Sequence, residues 1–169
     1  MASDELIQVV DENDNPIGSA TKTELWQKGL VHRIVRIIAE DGRGNVLLQK
    51  RTPTMLLYPN RWCESTSGHV DVGESYEVAA ARELREEIGL EDVALEELGH
   101  YRSSRIFEGR KLERFNKDYR FTLTEIPETL QKSEVSEVKW FPISEVKRLI
   151  AENPDNFTPG MAEVFKRYY

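Results

Sequence analysis

Along this chain, hydrophobic positions recur with a period of two in some stretches and near 3.6 in others. Each change of period marks a predicted element. Leu6–Val10 is a short apolar run that reads as a strand. The Asp11–Pro16 segment (DENDNP) that follows is a turn signal, and Ile17–Ala20 returns as the second strand of a hairpin. Thr23–Lys28 has the pattern of one or two helical turns ended by Gly29. Val31–Ala39 is crowded with β-branched side chains and predicts a central strand; a turn at Asp41–Asn45 leads to a second, Val46–Lys50. Pro53 and Pro59 bracket a loop, and Trp62–His69 reads as extended. Ser75–Ile88 predicts the clearest helix, with Ser75 as N-cap, Glu77 in the first turn and Gly89 as the stop. Strands follow near Leu95–Arg102, Phe115–Thr124 and Val138–Phe141, then helices over Ser144–Ala151 and Gly160–Tyr169. Strands mixed with separated helices predict an α+β sandwich around one sheet-based core.

Composition narrows this picture. At 169 residues the chain is long enough for one well-packed domain and short for two. Residues 1–30 would supply an N-terminal hairpin and short helix, 31–125 the core, and 126–169 a C-terminal strand and helices. No apolar run approaches the roughly 20 residues of a membrane span, so no membrane partner is expected. The acidic start, Met1 to Glu5, lacks a signal-peptide core. Cys63 is the single cysteine, which excludes an intrachain disulfide and points to a reduced, cytoplasmic setting. A formal net charge of −7 argues against a nucleic-acid partner. One stretch runs the other way: Arg102, Arg105, Arg110, Lys111, Arg114, Lys117 and Arg120 crowd a short span. A solvated hairpin with charged tips is the plainer reading, and a phosphate-facing wall the functional one.

The chemistry concentrates in residues 68–90, GHVDVGESYEVAAARELREEIGL. Glu83, Glu86 and Glu87 stand at i, i+3 and i+4, so a helix projects them from one face within a single turn. Ala81, Leu84 and Ile88 fall mostly on the other side and would anchor that helix on a sheet. Three like charges repel, and nothing at helical spacing places enough positive charge among them. A hard divalent cation relieves that repulsion and keeps sites for substrate phosphates. It would neutralise a diphosphate and acidify a water for in-line attack. The Gly68 carbonyl is a further candidate ligand, and Glu74 and Arg82 are placed to tie the preceding loop to the helix.

The spacing Gly68, Glu74, Arg82-Glu83-Leu84, Glu86-Glu87, Gly89-Leu90 resembles the signature box of the Nudix hydrolase family at every fixed position. A chance match at one starting point is on the order of one in a billion from average residue frequencies. The resemblance implies an α/β/α sandwich around a mixed β-sheet. It implies Mg²⁺, or Mn²⁺, held by Glu83, Glu86 and Glu87, one of which or a nearby carboxylate serves as base. The implied reaction is hydrolysis of a phosphoanhydride bond in a nucleoside diphosphate derivative or related small molecule.

Outside the box, Val31-His32-Arg33, Leu47–Arg51, Pro59–Trp62 and Gly68-His69 resemble the branch containing isopentenyl-diphosphate isomerase and its hydrolase relatives. Hydrolase and isomerase are therefore the two enzyme readings; a non-catalytic nucleotide sensor is a third. The isomerases use a cysteine at the position of Ser67, whereas Cys63 lies four residues earlier. They carry arginine where this chain has Glu83, and Asn116 aligns with their second catalytic glutamate. His32 and His69 match isomerase metal ligands, but hydrogen-bonded histidines beside the sheet are the simpler expectation. The hydrolase apparatus is the complete one. Arg51, Arg105 and Arg114 are the candidate substrate-binding residues, with Met55 in place of a second basic residue of the isomerase site. Trp62, Tyr58 and Phe107 are either base-stacking platforms or core. The attached organic group and the oligomeric state, homodimer included, stay open.

Overall fold

The computed structural model describes residues 5–128 and 133–169. The N-terminal stretch 1–4, read above as lacking a signal core, and residues 129–132 of the 126–169 segment lie outside the described residues. In chain order the elements are β1 Ile7–Val10, β2 Pro16–Ala20, α1 Lys22–Lys28, β3 His32–Glu40, β4 Asn45–Arg51, β5 Trp62–Cys63 and β6 Thr66–His69. Then come α2 Tyr76–Ile88, β7 Glu96–Phe107, β8 Arg110–Thr122, β9 Val135–Pro142, α3 Ile143–Glu152, a 3₁₀ turn at Pro154–Asn156 and α4 Pro159–Tyr168.

The β-branched run predicted as central is so. β3 pairs antiparallel with β6 over Ile34–Ile37 and parallel with β8 over its whole length. Its ends touch β1 at His32 and β4 at Ala39–Glu40. Alternation sends its side chains to two faces. Val35, Ile37 and Ala39 pack with Leu84, Ile88, Ala79 and Ala80 of α2, while Ile38 packs with Val146 of α3 and Met161, Val164 and Phe165 of α4. Each fully buried Val, Leu, Ile, Phe or Met side chain among these contributes roughly 1.5–3 kcal/mol, so the strand fastens helices to both faces of the sheet. The layering is the expected α/β/α sandwich, with the helices segregated around a mixed sheet.

Two expectations about the strands need revision. Trp62–His69 is not one strand, because Glu64 and Ser65 carry the chain from a pairing with β4 to a pairing with β3. The strands of the β7–β8 hairpin also run further toward their turn than the sequence pattern predicts. β7 and β8 pair from Glu96–Arg120 to Phe107–Arg110, with one register shift between Glu97 and Gly99, and are closed by Glu108 (φ 48°) and Gly109 (φ 78°). Two successive positive φ angles match the twist of a tight hairpin. Its charged outer face disguised the strands as loop.

α2 begins at Ser75, whose side chain accepts from Val78 N, and ends at Gly89 with φ 71°. Ala81 does not anchor it. Ala81 is exposed, and Tyr76, Ala79, Ala80, Leu84 and Ile88 form the buried apolar stripe, with Glu83 and Glu87 also buried.

Candidate active site

The carboxylates of α2 are not equivalent. Glu86 is exposed, whereas Glu83 and Glu87 keep only 9% and 3% of their surface. The Glu87 carboxylate accepts from Gln49 Nε2 at 3.0 Å, from the Thr66 hydroxyl and from Ser67 N at 3.3 Å. Burial, reinforced by Glu83, pushes its pKa well above the usual carboxylate range. Burial likewise raises Glu83 to about 8, against the opposing pull of Arg82. In both, burial disfavours the charged form, and together with the repulsion of neighbouring carboxylates it outweighs what Arg82, Thr66 and Gln49 offer.

Positive charge is nearer than the helical spacing suggested, but it is shared. Arg82 Nε and Nη2 donate to Glu74 at 2.7 and 2.9 Å, and Nη2 also donates to the His69 carbonyl at 2.9 Å. Arg82 Nη1 reaches Glu83 at 2.8 Å and Glu86 at 3.3 Å, and Asp71 lies 3.5 Å from Nη2. One guanidinium thus serves four carboxylates. Gly68, on β6, faces this cluster directly: a methyl group there would overlap the Glu83 carboxylate.

Glu83, Glu86, Glu87 and Gly68 form one side of a cleft whose empty space, open mouth included, is about 1000 Å³. Arg51, Arg114 and Lys22 also line it. Arg51 donates through Nε to the Leu57 carbonyl at 2.9 Å, which sets the loop after β4. Arg114 is 7% exposed, and burial together with the Arg36 guanidinium lowers its pKa to about 9. Among the described residues, neither Arg51 nor Arg114 makes an ion pair. Arg105 is not brought into this cleft. It lines a separate depression with Arg61 and Lys166 and lies 3.8 Å from Glu163. The rest of the basic stretch behaves as a charged hairpin: Arg102 pairs with Glu113, Arg110 with Glu108, Lys117 with Glu77 and Arg120 with Glu96.

His32 and His69 lie beside Arg114, their rings 5.3 Å apart. His32 Nδ1 meets the Leu30 carbonyl at 2.9 Å, and Arg114 Nε meets His32 Nε2 at 3.4 Å. Burial and the Arg114 charge drop the His32 pKa to about 3, and burial and His32 hold His69 well below its ordinary value. Both are neutral rings. Ser67 lines the cleft; Cys63 also borders it but is 1% exposed, with its thiol pushed up by burial.

The NUDIX domain matches residues 30–168. The chain belongs to the Nudix family. It is 38% identical over 156 residues to isopentenyl-diphosphate Delta-isomerase 2 of Photorhabdus laumondii, covering 92% of this chain and 87% of that one. It is 32% identical over 167 residues to a prenyl-diphosphate phosphatase of Methanosarcina mazei, covering 94% and 91%. The crystal structure of DR0079 from Deinococcus radiodurans superposes with a TM-score of 0.80 at 25% identity, covering 98% of this chain and 99% of that one. Family and relatives identify a Nudix pyrophosphohydrolase of the isopentenyl-diphosphate-isomerase-like branch. No helix among the described residues is long and apolar enough to cross a membrane.

The Nudix cleft contains groups that the motif did not announce. Glu134, just before β9, lines it and adds negative field at both Glu83 and Glu87. Glu64 lines it from the β5–β6 crossing and lies 3.0 Å from Arg36 Nε, both side chains being almost wholly buried. Asn116 is buried and occupied: it accepts from Arg36 Nη1 and donates to the Tyr101 carbonyl and, at 2.8 Å, to Ser103. A charged residue in a strand signals burial only through its partners, and these lie far off in sequence. Of the aromatic candidates, Tyr58 lines the cleft but is 8% exposed and packs 4.2 Å from Phe107, and Trp62 packs edge-on against Phe141.

The donor set suits a hard divalent cation. Its atoms are carboxylate and carbonyl oxygens, and the bare Gly68 backbone leaves the Glu83 carboxylate its place. No three His, Cys, Asp or Glu side chains among the described residues are gathered closely enough to hold an ion as they stand. Glu83 and Glu86 are turned onto Arg82 instead.

Proposed function

We propose that this chain hydrolyses the phosphoanhydride bond of an organic diphosphate in a Mg²⁺-dependent reaction, with Mn²⁺ a second candidate. The observation that carries this reading is the opposition of the under-neutralised Glu83–Glu87 pair and the unpaired Arg51 and Arg114 across one cleft. Glu83, Glu86, Glu87 and the Gly68 carbonyl would hold the cation. When bound, it supplies charge neutralisation of the diphosphate and acidification of water. Arg51 and Arg114 bind phosphate oxygens, and guanidinium donors suit the charge that builds on the leaving phosphate. A cleft carboxylate, from α2 or Glu134, takes the proton of the water. The water oxygen forms a new bond to one phosphorus as the bridging P–O bond breaks, giving two phosphate-bearing products. Glu74 and Arg82 keep the loop and helix in register.

Ile34, Met55 and Leu57 supply the apolar lining, and Leu56 on the same loop is 60% exposed. With Tyr58 and Trp62 engaged in packing, an aliphatic group suits this wall better than a nucleobase. The prenyl-diphosphate phosphatase relative favours the same choice. The buried Cys63 and the hydroxyl of Ser67 weigh against isomerase chemistry, which needs a group that trades protons with carbon.

The test is hydrolysis of prenyl, nucleoside and sugar-nucleotide diphosphates with Mg²⁺ or Mn²⁺, read as released phosphate, or for the sugar nucleotides as phosphate freed from the two monoester products by added phosphatase, using Glu87→Gln as control. Loss of at least about a hundredfold in that variant is expected. Full Mg²⁺-dependent turnover by Glu87→Gln would overturn the assignment. Binding without turnover across the panel would favour a sensor, and exchange of carbon-bound hydrogen in deuterated water an isomerase.

A further inference from the structure

The floor of the cleft holds a cation that fold stability does not ask for. Arg114 is buried, has no carboxylate within ion-pair distance among the described residues, and lies in the field of Arg36 and Arg51. Its immediate neighbour is a neutral ring. His32 meets the Leu30 carbonyl through Nδ1, so that nitrogen carries the proton and the Nε2 lone pair is left to accept from Arg114 Nε. This leaves the terminal Nη1 and Nη2 donors of the guanidinium for another acceptor. His32 is wholly buried behind Arg114 and does not border the cleft, whereas Arg114 and His69 do. His69 Nε2 is buried with no hydrogen-bond partner. A forked cation with free donors and a buried, unused imidazole nitrogen therefore meet at one place. Buried polar groups are normally satisfied, so an unspent set at a cleft floor points to a ligand.

We infer that Arg114, oriented by His32 and joined by His69, forms a phosphate subsite on the cleft floor that needs no metal and receives the terminal phosphate of the substrate. This rests on the diphosphate-hydrolase reading for its ligand, and adds a direction of entry. The terminal phosphate carries the most negative charge and suits the enclosed cationic floor. The organic group is then left toward Met55 and Leu56 on the loop after β4. His69 donates from Nε2–H to a phosphate oxygen. His32 touches no substrate and is a positioning residue. The same contact shows why the two histidines do not serve a second cation: a guanidinium already sits against His32 Nε2, and the facing strand offers Arg114 and Asn116 rather than carboxylates.

The experiment is calorimetric titration of the full chain with inorganic pyrophosphate in excess EDTA, alongside histidine ¹⁵N spectra. Binding should persist without metal and weaken roughly ten- to a hundredfold in Arg114→Gln. His32→Leu should weaken it by less, and His32→Gln, whose amide oxygen can still accept, should recover part of the loss. The unmodified chain should show His32 as the Nδ1–H tautomer, and pyrophosphate should shift His69 Nε2. Strict metal dependence of binding, unchanged affinity in Arg114→Gln, or an Nε2–H tautomer at His32 would each overturn the subsite. Loss of hydrolysis in the screen with these binding results intact would overturn the hydrolase reading alone.

Discussion

A single buried carboxylate shows how the site trades stability for readiness. Glu83 has a folded pKa near 8 against 4.5 for an ordinary glutamate. Between those values the native state keeps its proton while the unfolded chain has released one. The associated stability is complete below pH 4.5 and is lost as pH rises to about 8, at up to roughly 1.4 kcal/mol per pH unit. Thermal melts in EDTA should fall across that window for the unmodified protein and fall less steeply for Glu83→Gln, in which buried Glu87 still titrates with the same sign. Mg²⁺ should raise the melting temperature at pH 8 more in the former than in the variant. His32 titrates with the opposite sign. Its pKa is depressed from 6.5 to about 3, so the stability it contributes is present above pH 6.5 and drains as pH falls toward 3. His32→Gln should retain more of its stability at pH 5, relative to pH 7, than the unmodified protein. Gly68→Ala, whose methyl meets the Glu83 carboxylate, should lower kcat/KM at least about tenfold and cost roughly 1–3 kcal/mol.

Among the elements, α2 separates local from tertiary support. Ser75 and Gly89 act on the helix ends alone. Ser75→Ala should therefore cost about 1 kcal/mol in thermal or urea unfolding and leave kcat near its original value. Arg82 joins the helix to Glu74, Asp71 and the His69 carbonyl. Arg82→Ala should lower both stability and kcat, because it frees the loop and strips the shared counter-charge. Sequence reading reached these features because they are local: cap, stop and carboxylate spacing all lie within one stretch. It failed where charge mimics loop. The β7–β8 ribbon carries Arg102, Arg105, Arg110 and Arg114 in similar sequence settings, yet only Arg114 turns into the cleft. Alternation distinguishes faces, but here both faces carry arginine, and only the pairing of β8 with β3 decides which one meets His32. Glu134 was missed for a related reason. It stands outside any motif, and β9 brings it to the cleft by pairing with β4.

Across the whole molecule, the cleft floor is assembled from distant parts. Arg36 of β3 meets Glu64, Asn116 and, at its back, Gly160 of α4. A methyl on Gly160 would lie 2.6 Å from Arg36 Nε. Gly160→Ala should displace the guanidinium, cost roughly 1–3 kcal/mol and reduce turnover, although α4 carries no proposed catalytic group. Paired measurement of melting temperature and kcat/KM checks this. Tyr168 reinforces the same wall by donating to Asp118 at 2.8 Å. None of these contacts has a sequence signature, since each joins segments far apart in the chain.

The parallel pairing of β3 with β8 brings His32 to Arg114 across 82 residues of chain. No turn can close such a pair, and loop entropy is lost before its hydrogen bonds form. Helix α2, with its own cap and stop, can form much earlier. On dilution from denaturant, helical ellipticity should return ahead of pyrophosphate binding. Catalytic competence would then report the last step of folding, and a transient species with intact helices would still be blind to its ligand.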